Sequence, residues 1–148
     1  MAEYFATMAD VYRLTGDLRE QHDQSDTADG AEKSPEASAI RLSRMTGYEF
    51  NVEDWSLWLA FAQTLKQQQL SNIKQACMQQ LQRTRQPKQS YIVGAGVGRF
   101  LAKQVAVELG LSYVDFTQLI TQTASLDTLD AADCAPAVAV AYLAGGFG

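Results

Sequence analysis

The chain has 148 residues, 47% of them hydrophobic, enough for one domain that hides roughly two-thirds of its unfolded surface. Twelve Lys and Arg against seventeen Asp and Glu give a formal charge of −5, which argues against a nucleic-acid or anionic-membrane surface, since either needs clustered cations. Cys77 and Cys134 lie far apart with no Cys or His companion at ligand spacing, so free thiols in a reducing cytoplasm are expected, not a zinc site or a disulfide framework. The start, Met1-Ala2-Glu3, is acidic where a signal peptide is basic, and the apolar stretch from Ala135 to Gly146 is too short for a membrane span. A cytoplasmic protein without a membrane partner is expected.

From Ala2 to Leu14 the residues Tyr4, Phe5, Met8, Val11, Tyr12 and Leu14 recur at three and four, which predicts a helix stopped by Gly16. Residues 17–33 have no period and carry Asp23, Asp26 and Asp29 before Gly30; a segment of that length without a pattern is a surface loop of the kind that is often functional. Ser34 and Pro35 supply a cap and first turn for a second helix bearing Ile40, Leu42 and Met45 and closed by Gly47. Asn51 caps a third, whose stripe of Trp55, Trp58, Leu59, Ala62 and Leu65 continues through Leu70, Ile73, Cys77 and Leu81. Unbroken from Asp54 to Arg85, it would run about 48 Å, with room for a bend near Gln67 to Ser71. The ten glutamines between Gln63 and Gln89 coat its wet side, because apolar residues still interrupt them at helical spacing.

Pro87 ends that helix, and Ser90 to Val93 reads as a short buried strand running into Gly94, Gly96 and Gly98. Val97 or Gly98 starts a helix with Phe100, Leu101, Val105 and Leu109, Gly110 stops it, and Ser112 to Phe116 forms a second strand. The unit is a parallel βαβ. A last helix, about Asp130 to Leu143, has Pro136 in its first turn or at a kink, and the tail Gly145 to Gly148 is expected to be loose. The fold class is therefore α/β, predominantly helical, with a helical segment at 1–86 and a βαβα segment at 87–148 forming one domain. Two strands make a poor sheet on their own, so the chain is expected to be a fragment whose partner strands lie elsewhere.

Glycines that follow a strand and open a helix let a ligand rest on bare backbone amides. In the dinucleotide fingerprint Gly-x-Gly-x-x-Gly, Arg99 stands where the third glycine belongs, although Asp115 ends the next strand where a ribose-binding acid would lie. A turn that only packs is the competing reading. Asp23, Asp26 and Asp29 either hold a divalent ion through oxygen ligands or are simply solvated; their spacing lacks the alternation of a calcium loop. His22 reads as a surface residue, Asp10, Arg13 and Glu3 as either a wet face or a face toward a partner domain, and Asp133 and Cys134 as either a ligand-facing helix start or a small core position. A cysteine nucleophile would need a base, and the one histidine lies in the polar loop.

Together, Glu3-Tyr-Phe-Ala-Thr-Met-Ala-Asp-Val-Tyr12, Thr27-Ala-Asp-Gly30, Val93-Gly-Ala-Gly-Val-Gly-Arg-Phe-Leu101 and Ala132-Asp-Cys-Ala-Pro-Ala-Val-Ala139 resemble the tetrahydromethanopterin-linked C1-transfer pathway proteins of the hydantoinase and oxoprolinase group. The resemblance spans nearly the whole chain and implies the C-terminal portion of an actin-like, sugar-kinase-like ATPase fold, whose second-domain glycine turn packs against adenosine. For archaeal members it implies a transferase of methanofuran biosynthesis, with methylofuran as the counterpart in methylotrophs. Such an enzyme joins an aminomethylfuran-methyl diphosphate to γ-glutamyltyramine and releases pyrophosphate. On that basis Gly94, Ala95, Gly96, Val97, Gly98 and Arg99 bind a diphosphate or furan group, Asp29 assists a metal or accepts the phenolic proton, and Mg²⁺ neutralises the leaving group. ATP would be the cofactor under the alternative of an ATP-dependent hydantoinase or oxoprolinase-type hydrolase or kinase; a non-catalytic helical packing module is the third reading. The family's two earlier phosphate loops, Asp-x-Gly-Gly and Asp-Val-Gly-Gly-Thr-Thr-Thr, have no counterpart here, so a missing N-terminal domain and an isolated chain without activity are expected.

Overall fold

In the computed structural model, residues 5–18, 20–83, 90–120 and 130–145 are described. The chain divides into two compact units, Met1–Ser71 and Asn72–Gly148. In the first, α1 (Met8–Leu14) and α2 (Pro35–Thr46) pack together and bury Val11, Leu14, Ala39 and Leu42. The first helix starts at Met8: Phe5 to Thr7 are not helical, Thr7 is extended, and the Asp10 carboxylate accepts the Thr7 amide at 2.9 Å, which sets the helix start. Ala2, Glu3 and Tyr4 lie outside the described residues. For α2 the expected devices are present. Ser34 Oγ accepts the Ala37 amide at 3.1 Å, Pro35 opens the first turn and Gly47 closes the helix at φ 74°.

A short 3₁₀ turn, Val52–Asp54, capped by Asn51 through the Glu53 amide, leads into α3 (Trp55–Arg83). This helix runs without interruption through residues 67–71; its stripe buries Trp58, Ala62 and Leu70. Arg85, Pro87 and Gln89 lie outside the described residues.

In the second unit, β1 (Tyr91–Gly94) and β2 (Ser112–Asp115) pair in parallel, Tyr91 opposite Ser112 and Gly94 opposite Asp115. They are joined through α4 (Arg99–Leu109), which buries Leu101, Val105 and Ala106 and ends on Gly110 at φ 65°. The predicted parallel βαβ unit is thus present within a chain that is mostly helical. The last helix, α5 (Ala135–Gly145), begins later than the pattern suggests, because residues 130–133 form a turn closed by the Asp130 carboxylate on the amides of Ala132 and Asp133. Pro136 falls in its first turn, where a missing N–H costs nothing. The tail from Gly146 lies outside the described residues. No described helix is long and apolar enough to cross a membrane.

Candidate functional site

The glycine turn sits at the carboxyl ends of β1 and β2, the place where open parallel sheets receive ligands. Each glycine has its own reason. A Cβ on Gly94 would stand 2.6 Å from Cε2 and Cζ of Tyr113 and closer still to its hydroxyl. Gly96 adopts φ 79°, the left-handed region that disfavours side chains. Gly98 precedes the first residue of α4. The amides of Val97 and Gly98 make no hydrogen bond among the described residues, whereas the Gly96 amide donates to the Ala132 carbonyl at 2.6 Å.

Arg99 does not stand open to a ligand. Its Nε lies 3.2 Å from Asp115, its Nη2 2.5 Å from Asp130 and its Nη1 2.5 Å from Asp133, with a further bond from Nη1 to the Gly96 carbonyl at 3.4 Å. One guanidinium thus ties together the glycine turn, the end of β2 and the turn before α5, and with three carboxylates the cluster is formally −2. Burial opposes the charge on Arg99, but pairing with Asp133, Asp130 and Asp115 outweighs it and raises its pKa. Burial also raises the Asp115 carboxyl, yet the Thr117 amide and hydroxyl, the Tyr113 hydroxyl and Arg99 together hold it below the ordinary carboxylate range. Tyr113, whose hydroxyl donates to Asp115 at 3.1 Å, is pushed up by burial and by that same charge.

In the other unit the long loop folds onto a buried ionic network. Asp10, 2% exposed, accepts from Arg13 at 3.1 Å, Ser38 Oγ at 3.0 Å and Arg41 Nε at 2.8 Å. Arg13 reaches on to Asp23 at 2.5 Å and to Ser38 at 2.6 Å, while the fully buried Arg41 reaches Asp29 at 3.1 Å and the Glu32 carbonyl at 3.3 Å. Asp29 also holds Arg44 at 2.7 Å. Burial raises the Asp29 carboxyl, but the Ala31 amide, Arg44 and Arg41 prevail and lower it. A carboxylate so placed is a weak proton acceptor.

Gly94, Ala95, Gly96, Val97, Gly98 and Arg99 form one turn of the second unit, and Asp29 belongs to the loop network of the first. Asp23, Asp26 and Asp29 do not converge: Asp23 and Asp29 are bound to arginines, and among the described residues no group of three His, Cys, Asp or Glu is placed to hold a metal ion. Asp10 and Arg13, read from the sequence as either a wet face or a face toward a partner domain, are buried within this network. Two features escape sequence reasoning: Asp130 as a ligand of Arg99, which carries no local motif, and Arg41 as the hub of the loop. For Arg41 a signal exists, since a charged residue stands between Ile40 and Leu42 on the packed face of an amphipathic helix.

An α/β chain with a glycine turn at the carboxyl ends of its strands is the class that fold and site define. The sequence model of the hydantoinase/oxoprolinase family matches residues 2–137, and the chain belongs to that family. A comparison with curated proteins finds no match.

Proposed function

We propose that the chain carries the ring-binding part of a diphosphate-displacing transferase, within an actin-like, sugar-kinase-like ATPase fold, and that the neutral furan ring of the substrate rests on the glycine turn. The observation that carries this is the state of Arg99. With three carboxylates on one guanidinium, the turn offers a diphosphate little positive charge, whereas a flat uncharged ring can lie against bare backbone at Gly96 to Gly98 and accept from the amides of Val97 and Gly98. In the reaction that the family resemblance implies, the carbon–oxygen bond to diphosphate breaks, the furan stabilises the cation left behind, and the phenol oxygen of γ-glutamyltyramine forms the new bond while its proton passes to a base. Mg²⁺ would neutralise the departing pyrophosphate. Asp23 and Asp29 do not fit the role of holding that ion, because arginines occupy both carboxylates.

A turn without free positive charge also suits adenosine, which favours an ATP-dependent hydantoinase or oxoprolinase-type activity as the second reading. Incubation with the furan diphosphate and γ-glutamyltyramine, on the chain alone and joined to any coding sequence in frame upstream, separates the two. Pyrophosphate release supports the transferase; phosphate released from ATP, without pyrophosphate from the furan compound, replaces it with the second reading. Unchanged ligand binding in Gly96→Val would overturn both and leave the turn a packing device.

A further inference from the structure

A cavity of about 310 Å³ opens between the connection that follows α2 and the first turns of α3, lined by Thr46, Tyr48, Glu49, Asp54, Leu57, Trp58 and Phe61. Its size is at the lower end of small-molecule sites. Three of these seven residues are aromatic. Trp58 is 8% exposed and meets Phe61 edge-on, with ring centroids 6.3 Å apart and planes at 75°, while Tyr48 stands 75% exposed at the mouth. The indole Nε1 is buried with no hydrogen-bond partner, so the cavity meets the ring of Trp58 and not its N–H. A donor left unmade has a cost, and the indole is held in this position by packing in spite of it.

The lining contains no Lys, Arg or His, and its two carboxylates, Glu49 and Asp54, are exposed and make no ion pair or side-chain hydrogen bond among the described residues. Arg44 shares an adjoining groove with Tyr48 and Glu49, but its guanidinium is held by Asp29 at 2.7 Å. A hard metal ion needs converging oxygen ligands, which apolar and aromatic walls do not supply. A neutral apolar molecule would leave both charges unused. Aromatic faces attract cations whose charge is spread over a soft, weakly hydrated group, and carboxylates at the mouth draw such a cation in.

We infer that this cavity is an aromatic cage for a small organic ammonium compound, its charged head against Tyr48, Trp58 and Phe61 and balanced by Glu49 and Asp54. The site lies wholly in the first unit and is independent of the glycine turn, so its failure and that of the proposed transferase are separate outcomes.

The probe pair is choline and its uncharged isostere 3,3-dimethylbutan-1-ol, titrated against the intact chain by calorimetry and by tryptophan fluorescence. Choline is expected to bind saturably, and the isostere about tenfold more weakly or not at all. Glu49→Gln combined with Asp54→Asn, and separately Tyr48→Ala, alter exposed side chains and are expected to keep the fold, checked by circular dichroism, while weakening choline about tenfold. Equal affinity for the two probes would reduce the site to a plain apolar cavity. Absence of saturable binding by both choline and benzyltrimethylammonium, or wild-type affinity in the variants, overturns the inference.

Discussion

Tyr113, diagonal to Gly94 across the parallel ladder, sets its ring in the space a side chain on Gly94 would take. In Gly94→Ala the ring must swing away, breaking its bond to Asp115. A loss of about 1–3 kcal/mol is expected, the usual range for overpacking, measured by urea denaturation. The same swing moves Tyr113 from its half-buried position beside a carboxylate, so its raised pKa should fall toward the ordinary tyrosine value, read from tyrosinate absorbance. A stability loss without that fall would mean that the strain is taken up by the backbone. Arg41 poses a different problem, because removing it leaves Asp10 buried with part of its charge uncompensated. Arg41→Ala is expected to cost about 3–5 kcal/mol, the range for breaking a buried pair from one side, seen as a fall in the denaturant midpoint. Asp29 and Asp115 both titrate below the ordinary carboxylate range in the folded chain. Such groups add stability that is present above the unfolded pKa and disappears as pH falls through the folded one. Stability should therefore decline on acidification below about pH 4, and Asp29→Asn should flatten that part of the profile; an unchanged slope would remove Asp29 from the explanation.

At the level of elements, capping made α2 readable from its own residues. Ser34, Pro35 and Gly47 act where local chemistry alone requires them, so Ser34→Ala should cost about 0.5–2 kcal/mol, detectable as a lowered midpoint. The βαβ unit was equally legible, because a short apolar run, a glycine turn and a 3.6-residue period leave few other arrangements. The start of α1 was not, since the apolar period continues through Tyr4 and Phe5 and only the Asp10 carboxylate on the Thr7 amide shows where the helix begins. The glycine positions of the site could be read from residue type. What could not be read was the pairing of Arg99 and the burial of Asp10, Arg13 and Arg41, because both depend on carboxylates brought in from residues 10 to 34 positions away and leave no periodic trace. The loop at 17–33 likewise has no pattern of its own and takes its order from Arg13 and Arg41.

Across the whole molecule, the two compact units hold different kinds of interior. Residues up to Ser71 enclose an ionic network within helices, and those from Asn72 on enclose a small parallel sheet under α4. Compact units of one chain open with free energies of their own. Both tryptophans, Trp55 and Trp58, belong to the first unit, so fluorescence follows that unit alone, while circular dichroism in the far ultraviolet sums over both. The two urea curves are therefore expected not to coincide. Arg41→Ala should move the fluorescence transition and leave the remaining dichroism transition in place, and Gly94→Ala should do the reverse. A single transition shared by both probes and displaced by either substitution would show instead that α3, which runs unbroken across the boundary, couples the units into one cooperative fold.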